Sequence, residues 1–357
     1  MPLTSEFVTG FYERTRTAQK VIVVDLGFLG DSAHLVPAVW ELKRNYPQAQ
    51  VHTLAATVGA ELLEMAPCVD RAWAYPLSKP SPPFWKHLGI LRALRREKFD
   101  VAFNFSGADR TVYLTALIGA RNSLACAAGR HHFYNPWLIP NWVPRPSREL
   151  PVFEQRRQVL AAAGLSLESP RFDLGVPDDA KVWAKETVHE GAIHVSPNAS
   201  SPFKEWPLEN WLAFIPQIAA QTGRPLVVTG DGSPRERQRI EALMTASSSF
   251  HLRAFPDRLA LAKLAAVLQR CALHVGADSG ITHLAAALGV PTVTVYRDYD
   301  GRLEWTPPGS RHQQMVVPCP CIPKLQSRCE TSGRAECLAT VTSTDVVAAC
   351  LRLLEQS

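Results

Sequence analysis

Apolar residues along this chain alternate between short β-branched runs and longer stretches with helical spacing. Runs such as KVIVVDL at 20–26 predict strands, because consecutive apolar residues suit a strand that is covered on both faces. Stretches such as DSAHLVPAVWELKRNY at 31–46 repeat their apolar residues every three or four positions, which predicts amphipathic helices. Strands that alternate with helices predict parallel β-α-β units and a doubly wound sheet.

Each half of the chain contains its own series of alternating strands and helices. This predicts an α/β protein with two Rossmann-like, doubly wound domains. In the second half, Gly223 suits a helix C-cap, and Ser233 with Pro234 suits the N-cap and first turn of the next helix. We expect the apolar run PTVTVY to close the second sheet. The predicted strands are at 20–26, 49–56, 71–77 and 100–107, then at 192–198, 224–232, 271–278 and 291–296, and the short stretch SFHLRAF at 249–255 separates two predicted helices.

Two stretches interrupt the pattern. Residues 131–150 are rich in proline, aromatic residues and histidine, and we expect a loop or lid there. A stretch of turn residues with little periodicity favours a domain boundary near 170–185, which gives domains 1–178 and 179–357. Whether the last helix packs back on the first domain is left open.

The composition describes an ordinary soluble globular protein, with 357 residues, 46% apolar and 20% charged. A net charge of +5 permits weak attraction to phosphate-bearing substrates, and without a Lys/Arg run we expect no nucleic-acid binding. Because no apolar stretch reaches the length of a membrane span and the N-terminus lacks a signal-peptide core, we expect a cytoplasmic protein. Aromatic residues at 131–144 leave open a peripheral contact with the inner membrane or an acceptor lipid.

The loop DLGFLGDSAH at 25–34 joins the first strand to the first helix. Gly27 and Gly30 permit backbone turns there, and Asp31 lies at or near the N-cap of the helix. Asp31 can therefore be a simple cap, or a carboxylate that acts as a general base. The loop does not fit G-x-G-x-x-G, which argues against an NAD-dependent dehydrogenase.

Three loops of the second half suggest a shared anion site. SPNASSPFKEWP offers backbone amides and the mobile cation Lys204, TGDGSPRERQR offers Glu236, and GADSGITH offers Asp278 at a helix start. From spacing alone, Glu236 can instead be a solvated helix glutamate, and Lys204 a solvated lysine in an ordinary loop. Because the carboxyl ends of parallel strands share one edge, the loops together indicate a site for a nucleotide-sugar diphosphate.

The ordered motifs FLGDSAHLVPA, PNASSPFKEWP, TGDGSPRE and GADSGITHLAAALGVPTVTVY resemble glycosyltransferase family 9, the heptosyltransferases of lipopolysaccharide core synthesis. The resemblance covers roughly residues 20–345. It implies a GT-B architecture with a cleft between an N-terminal acceptor domain and a C-terminal donor domain. The implied reaction is inverting and metal-independent, and moves a heptose from a nucleotide sugar, usually ADP-heptose, to a lipopolysaccharide-core acceptor.

The resemblance also implies roles for residues of this chain, with no cofactor required. Asp31 matches the catalytic base and Lys204 the lysine that binds the leaving diphosphate. Many members carry a basic residue where this chain has Asp25. The expected donor-binding residues are Ser196, Asn198, Ser200, Ser201, Gly230, Glu236, Asp278, Ser279, Gly280, Thr282 and His283, and the expected acceptor-binding residues are Gly30, Ser32 and His34.

Two alternatives remain beside this interpretation: a non-catalytic nucleotide-sugar-binding protein, and a transferase that uses another sugar nucleotide. A separate hypothesis concerns the cysteine cluster Cys319, Cys321, Cys329 and Cys337. Four thiolates can bind a structural zinc ion, but Cys-x-Cys is tighter than the usual zinc pair, so reduced thiols or a labile disulfide are preferred.

Overall fold

The computed structural model describes residues 8, 10–77, 82–127, 132, 135–247, 251–298, 301–307, 309–318 and 336–356. The chain divides into two compact units, Met1–Gly175 and Val176–Ser357. The division falls inside the stretch at 170–185 that lacks periodicity. Which unit binds the donor and which the acceptor stays a prediction.

In the first unit, helices cover a parallel six-stranded sheet of order β3-β2-β1-β4-β5-β6. Its described elements are α1 (Phe11–Thr15), β1 (Lys20–Val24), α2 (Leu29–Asn45), β2 (Gln50–Ala56), α3 (Thr57–Glu64), β3 (Arg71–Tyr75), α4 (Phe84–Glu97), β4 (Val101–Asn104), α5 (Asp109–Ile118), β5 (Asn122–Ala127), α6 (Asn135–Leu138), β6 (Asn141–Pro144) and α7 (Val152–Ala162).

The second unit repeats this plan, with the order β9-β8-β7-β10-β11-β12. Two short 3₁₀ helices, Pro202–Lys204 and Arg302–Trp305, follow its strands. The other described elements are α8 (Asp178–Thr187), β7 (Ala192–Ser196), α9 (Leu208–Thr222), β8 (Leu226–Thr229), α10 (Pro234–Thr245), β9 (Leu252–Phe255), α11 (Leu261–Gln269), β10 (Cys271–Ala277), α12 (Gly280–Ala287), β11 (Thr292–Arg297), β12 (His312–Val317), α13 (Glu336–Ala339) and α14 (Ser343–Glu355).

Both sheets therefore have the Rossmann order 3-2-1-4-5-6, which confirms the predicted doubly wound α/β class. In this order the chain leaves the first strand in one direction and the fourth in the other. The switch point lies between β1 and β4 in the first unit, and between β7 and β10 in the second. Ligands of such sheets bind outside the carboxyl ends of the strands at this point.

The helix caps predicted from glycine, serine and proline are confirmed. Gly223 ends α9 with a φ of 62°, which an L-residue tolerates poorly. Ser233 caps α10, and its Oγ accepts a hydrogen bond from the backbone N–H of Glu236. Pro234 occupies the first helical position.

Two predictions about secondary structure were wrong. The stretch at 131–150 is not only a loop, because its described part contains α6 and the edge strand β6. PTVTVY does not close the second sheet, because β12 pairs with β11 beyond it. Every residue of β12 is only partly buried, and the first half of its sequence HQQMVV is polar, so that only three consecutive apolar residues remain.

The second unit has a continuous core under its sheet. Trp206, Trp211 and Phe214 pack edge to face, and the Nε1–H of Trp206 donates to Val341 O over 3.0 Å. Helix α14 adds Val346, Cys350 and neighbouring residues to the same core, so it packs within the second unit. Among the described residues, no helix has the length and apolar character that crossing a membrane requires.

A buried ion network joins α2 to α7 in the first unit. The carboxylate of Glu41 accepts from Arg157 Nε over 3.1 Å, pairs also with Arg44, and accepts from the backbone N–H of Glu168. The side chains of Glu41 and Arg157 are 1% and 6% exposed. The network therefore fixes the two helices that carry Asp31 and Arg156.

We expect Glu41→Gln to lower the free energy of unfolding by about 2 kcal/mol or more, because it removes the fully buried one of the two carboxylates that pair with the Arg157 guanidinium and leaves only the partly exposed Glu154. The control is Asp173→Asn, which breaks a pair with Arg171 whose side chains are about half exposed. The control should cost less than about 1 kcal/mol. Urea denaturation of both variants measures the difference, and equal costs would contradict this role of Glu41.

Candidate functional site

Asp31 follows β1 at the carboxyl edge of the first sheet and lies in the first turn of α2. Its Oδ2 accepts a hydrogen bond from the backbone N–H of Phe28 over 2.9 Å, while the side chain stays 25% exposed. Gly27 makes room for it, because a Cβ on Gly27 would lie 2.4 Å from the Asp31 Cγ. The carboxylate therefore caps the helix and still faces solvent.

An arginine that the sequence analysis missed lies between two acids at this edge. Arg156 of α7 pairs with Asp25 over 2.5 Å, lies 3.8 Å from Asp31 Oδ1, and donates to the carbonyl oxygen of Asp31. Asp25 is the position where many members of the resembled family carry a basic residue. Here its negative charge is paired with a cation 131 positions away in the sequence. No short-range pattern could have revealed this pair.

The pKa of Asp31 is raised above its ordinary value, chiefly because burial disfavours the charged carboxylate. The positive charge of Arg156 lowers this pKa, and the negative charge of Asp25 raises it. A carboxyl with a raised pKa is a better proton acceptor when it is ionised.

The three expected acceptor residues lie on α2 beside Asp31, but two of their side chains are buried. Ser32 donates to the carbonyl of Phe28 over 3.3 Å, and its Oγ occupies the space that a Cβ on Gly59 would need. His34 stacks on Phe153 with ring centroids 5.9 Å apart. Gly30 is buried within the first turn. Their acceptor role stays a prediction.

In the second unit, the structure brings together Lys204, the residue expected at the diphosphate, and Asp278, one of the expected donor-binding acids. Lys204 Nζ lies 2.8 Å from Asp278 Oδ2. Lys204 ends the 3₁₀ helix after β7, and Asp278 follows β10, so the pair spans the switch point of the sheet. The lysine side chain is 39% exposed and the aspartate 7%, so the cation is the more accessible partner.

Charged side chains that the sequence analysis did not identify also support the loop that precedes Lys204. Glu205 accepts from the backbone N–H of Ala199 over 3.0 Å and from Arg235 over 2.5 Å. Arg239 donates to Asn198 Oδ1 over 2.9 Å. The run RERQR after TGDGSP was the available signal, since it places both arginines on one face of α10.

Glu236 lies in the first turn of α10. Its Oε2 accepts from the backbone N–H of Asp231 over 2.8 Å, and burial raises its pKa above the ordinary value. Gly230 is required here, because a Cβ would meet Ile240 Cδ1 at 2.7 Å and the carbonyl of Pro256 at 2.9 Å. Glu236 therefore shapes its own loop, and a sugar contact stays a prediction.

Four of the expected donor-binding residues lie at the start of α12. Ser279 is its N-cap and Gly280 its first residue, with Ser279 Oγ buried and without a partner among the described residues. His283 packs against Trp305, and burial lowers its pKa to about 4, so it is neutral near pH 7. Thr282 is fully buried, and its hydroxyl donates to Ala277 O over 2.9 Å.

A second polar atom without a partner lies in the loop after β7. The Nδ2 of Asn198 is buried and finds no hydrogen-bond partner in the described part of the chain. Buried polar groups are normally paired, so such atoms are candidates for contact with a ligand. The other expected residues of this loop differ in exposure: Ser196 is buried, Ser200 is exposed and Ser201 accepts from Phe203 N.

Most of the predicted cysteine cluster lies outside the described residues. Cys319, Cys321 and Cys329 belong to that part of the chain, whereas Cys337 is buried in the second core. No group of metal-ligating side chains occurs within the described ranges. The zinc hypothesis is therefore untested.

Solved structures share this architecture over most of the chain. A glycosyltransferase family 9 structure from Veillonella parvula superposes with a TM-score of 0.80 at 18% identity, covering 95% of this chain and 98% of that one. The Escherichia coli ADP-heptose lps heptosyltransferase II superposes with a TM-score of 0.74 at 20% identity, covering 95% and 99%. The fold is thus that of a GT-B glycosyltransferase.

The sequence narrows this class to a family. The protein-family model described as "Glycosyltransferase family 9 (heptosyltransferase)" matches residues 88–334. The chain therefore belongs to glycosyltransferase family 9 and is an enzyme of that class. The lipopolysaccharide core heptosyltransferase OpsX of Haemophilus influenzae is 23% identical over 79% of this chain and 80% of its own length. Lipopolysaccharide heptosyltransferase 3 of Escherichia coli is 22% identical over 92% and 98%.

Proposed function

We propose that this enzyme moves a heptose from ADP-heptose to a lipopolysaccharide-core acceptor, with inversion at the anomeric carbon. The observation that carries the proposal is the Lys204–Asp278 pair at the switch point of the second sheet, beside the N-terminus of α12. A lysine and a helix N-terminus together suit a diphosphate. Family membership favours this over a non-catalytic binding protein.

On the donor side, Lys204 and the first amides of α12 supply positive charge without a required metal ion. As the bond from the anomeric carbon to the phosphate oxygen breaks, negative charge grows on the leaving nucleoside diphosphate, and fixed donors stabilise it. Asp278 holds Lys204 in place before the donor binds. Asn198 Nδ2 and Ser279 Oγ are the nearest candidates for additional hydrogen bonds to the donor.

On the acceptor side, Asp31 is the proposed general base. Its carboxylate takes the proton of the acceptor hydroxyl while that oxygen forms its bond to the anomeric carbon. Attack opposite the leaving group then inverts this centre. Burial raises the pKa of this carboxyl, and the charges of Arg156 and Asp25 modify it in opposite directions, while Arg156 holds the backbone of Asp31 through its carbonyl oxygen.

We expect Asp31→Asn to lower kcat by about 10²–10⁴-fold, because the amide cannot accept the proton. Affinity for ADP should be unchanged, since ADP is proposed to bind the second unit. The control is Asp178→Asn, which changes an exposed aspartate in the first turn of α8. A transfer assay with a core acceptor and calorimetry with ADP measure both quantities, and full activity in Asp31→Asn would exclude this base.

The pH dependence gives an independent prediction. Activity requires ionised Asp31, so kcat/KM should fall as the pH drops through the raised pKa of Asp31. Asp25→Asn removes a charge that raises this pKa and releases Arg156, so the acid limb should move down by about 1 pH unit. Arg156→Met should move it up. Shifts of both variants in one direction would contradict the arrangement.

We also propose that the first unit contacts an anionic membrane surface through three exposed aromatic side chains. Phe28, Trp85 and Trp137 are 87%, 71% and 81% exposed and belong to the segments that follow β1, β3 and β5 in the chain. Lys86, next to Trp85 in the sequence, and Arg110 of α5 are exposed cations of the same unit. Tryptophan and basic residues suit a membrane interface.

Replacement of Trp85 and Trp137 together by alanine should weaken binding to phosphatidylglycerol vesicles by about fivefold or more, because the apolar anchors are lost. Co-sedimentation measures the bound fraction. The control replaces Val182 and Met244, two exposed apolar residues of the second unit, by alanine. Equal binding by the two double variants would contradict a membrane role of these tryptophans.

A further inference from the structure

Two buried histidines lie side by side under the proposed donor loops. His194 of β7 and His274 of β10 are register partners on adjacent strands, and their rings stack with centroids 5.0 Å apart. Their Nδ1 atoms are 2.8 Å apart, and neither residue is exposed. At this distance one nitrogen must carry the proton and the other must accept it.

Each ring also makes a hydrogen bond to a threonine through its other nitrogen. His194 Nε2 lies 3.0 Å from Thr229 Oγ1, and His274 Nε2 lies 3.1 Å from Thr282 Oγ1. The hydroxyl of Thr282 also lies 2.9 Å from Ala277 O. A chain of four hydrogen bonds therefore runs from the end of β8 across β7 and β10 to the start of α12.

The chemistry of the groups sets the direction of this chain. A carbonyl oxygen only accepts, so the Thr282 hydrogen goes to Ala277 O and Thr282 Oγ1 accepts from His274 Nε2–H. His274 Nδ1 then accepts from His194 Nδ1–H, and His194 Nε2 accepts from Thr229. The opposite direction would lose the bond to Ala277 O.

The contact between the two Nδ1 atoms excludes two charged rings, and burial keeps each ring neutral. Burial lowers the pKa of His194 to about 3 and the pKa of His274 well below its ordinary value, so neither is protonated near pH 7. Gly276 makes room for the second ring, because a Cβ there would lie 2.7 Å from His274 Nε2.

The two ends of the chain are adjacent to two proposed donor loops. Thr229 is the last residue of β8 and precedes the loop that Glu236 closes. At the other end, the bond between Thr282 and Ala277 closes the turn that contains Asp278 and Ser279.

We propose that His194 and His274 are positioning residues of the donor site, which hold the turn at 277–282 in a fixed relation to the end of β8. They act through Thr282 and the backbone of the turn, and they do not touch the substrate. The inference rests on the proposed function, because the ligand that the turn receives is the nucleoside diphosphate.

The first test is the protonation pattern of the two rings. In the full-length protein labelled with ¹⁵N-histidine, two-bond ¹H–¹⁵N spectra at pH 7 should show His194 protonated at Nδ1 and His274 at Nε2. Histidine-to-glutamine variants assign the signals. The opposite tautomers, or a charged imidazole, would overturn the inference.

The second test asks whether the far end of the chain affects nucleotide binding, with ADP as the probe. Thr229→Val keeps the side-chain shape but removes the hydrogen that starts the chain. It should raise the Kd for ADP about tenfold, whereas Thr229→Ser should stay within about twofold of wild type. The control is Thr294→Val, which changes a buried threonine of β11 whose hydroxyl has no partner among the described residues.

The outcomes separate this inference from the proposed function. If wild type binds ADP and Thr229→Val lowers only the urea midpoint, the inference fails and the proposed function stands. If wild type binds no ADP, the proposed function fails and the inference fails with it. A higher Kd in Thr229→Val, with rescue by serine and no change in the control, supports the inference.

Discussion

Parallel strand pairing places the chemistry of this protein, because every strand of a parallel sheet delivers its following loop to the same edge. In both sheets the first and fourth strands are neighbours and their connections diverge. Asp31 follows the first strand of the first sheet. Lys204 and Asp278 follow the first and fourth strands of the second sheet, which explains how residues 74 positions apart, 204 to 278, form an ion pair.

The charges at these edges are arranged in pairs. Asp25 neutralises Arg156 beside Asp31, and Asp278 neutralises Lys204. At each edge one charged group is more accessible than those around it: the carboxylate of Asp31 beside the buried Arg156–Asp25 pair in the first unit, and the ammonium of Lys204 in the second. That suits a reaction in which one site accepts a proton and the other stabilises developing negative charge.

The sequence predicted the buried, regular part of this fold well. Runs such as KVIVV and the loops that follow them are local signals, so strands, caps and the positions of Asp31 and Lys204 could be inferred. The edge strands β6 and β12 escaped, because an edge strand is short or only partly buried and needs no apolar run. The sequence did not predict the roles of Arg156, Glu205 and the pair His194–His274. Their partners come from distant segments, or are backbone groups that no side-chain pattern reveals.

Calorimetry of the wild-type enzyme and of Lys204→Met with ADP-heptose, a UDP-sugar and a GDP-sugar tests the central claim most directly. The account predicts that wild type prefers ADP-heptose and that Lys204→Met binds it about tenfold or more weakly, because a charge-assisted contact to the diphosphate is lost. Preference for another nucleotide sugar would contradict the assignment of the donor. Equal affinity of wild type and Lys204→Met would contradict the diphosphate site itself.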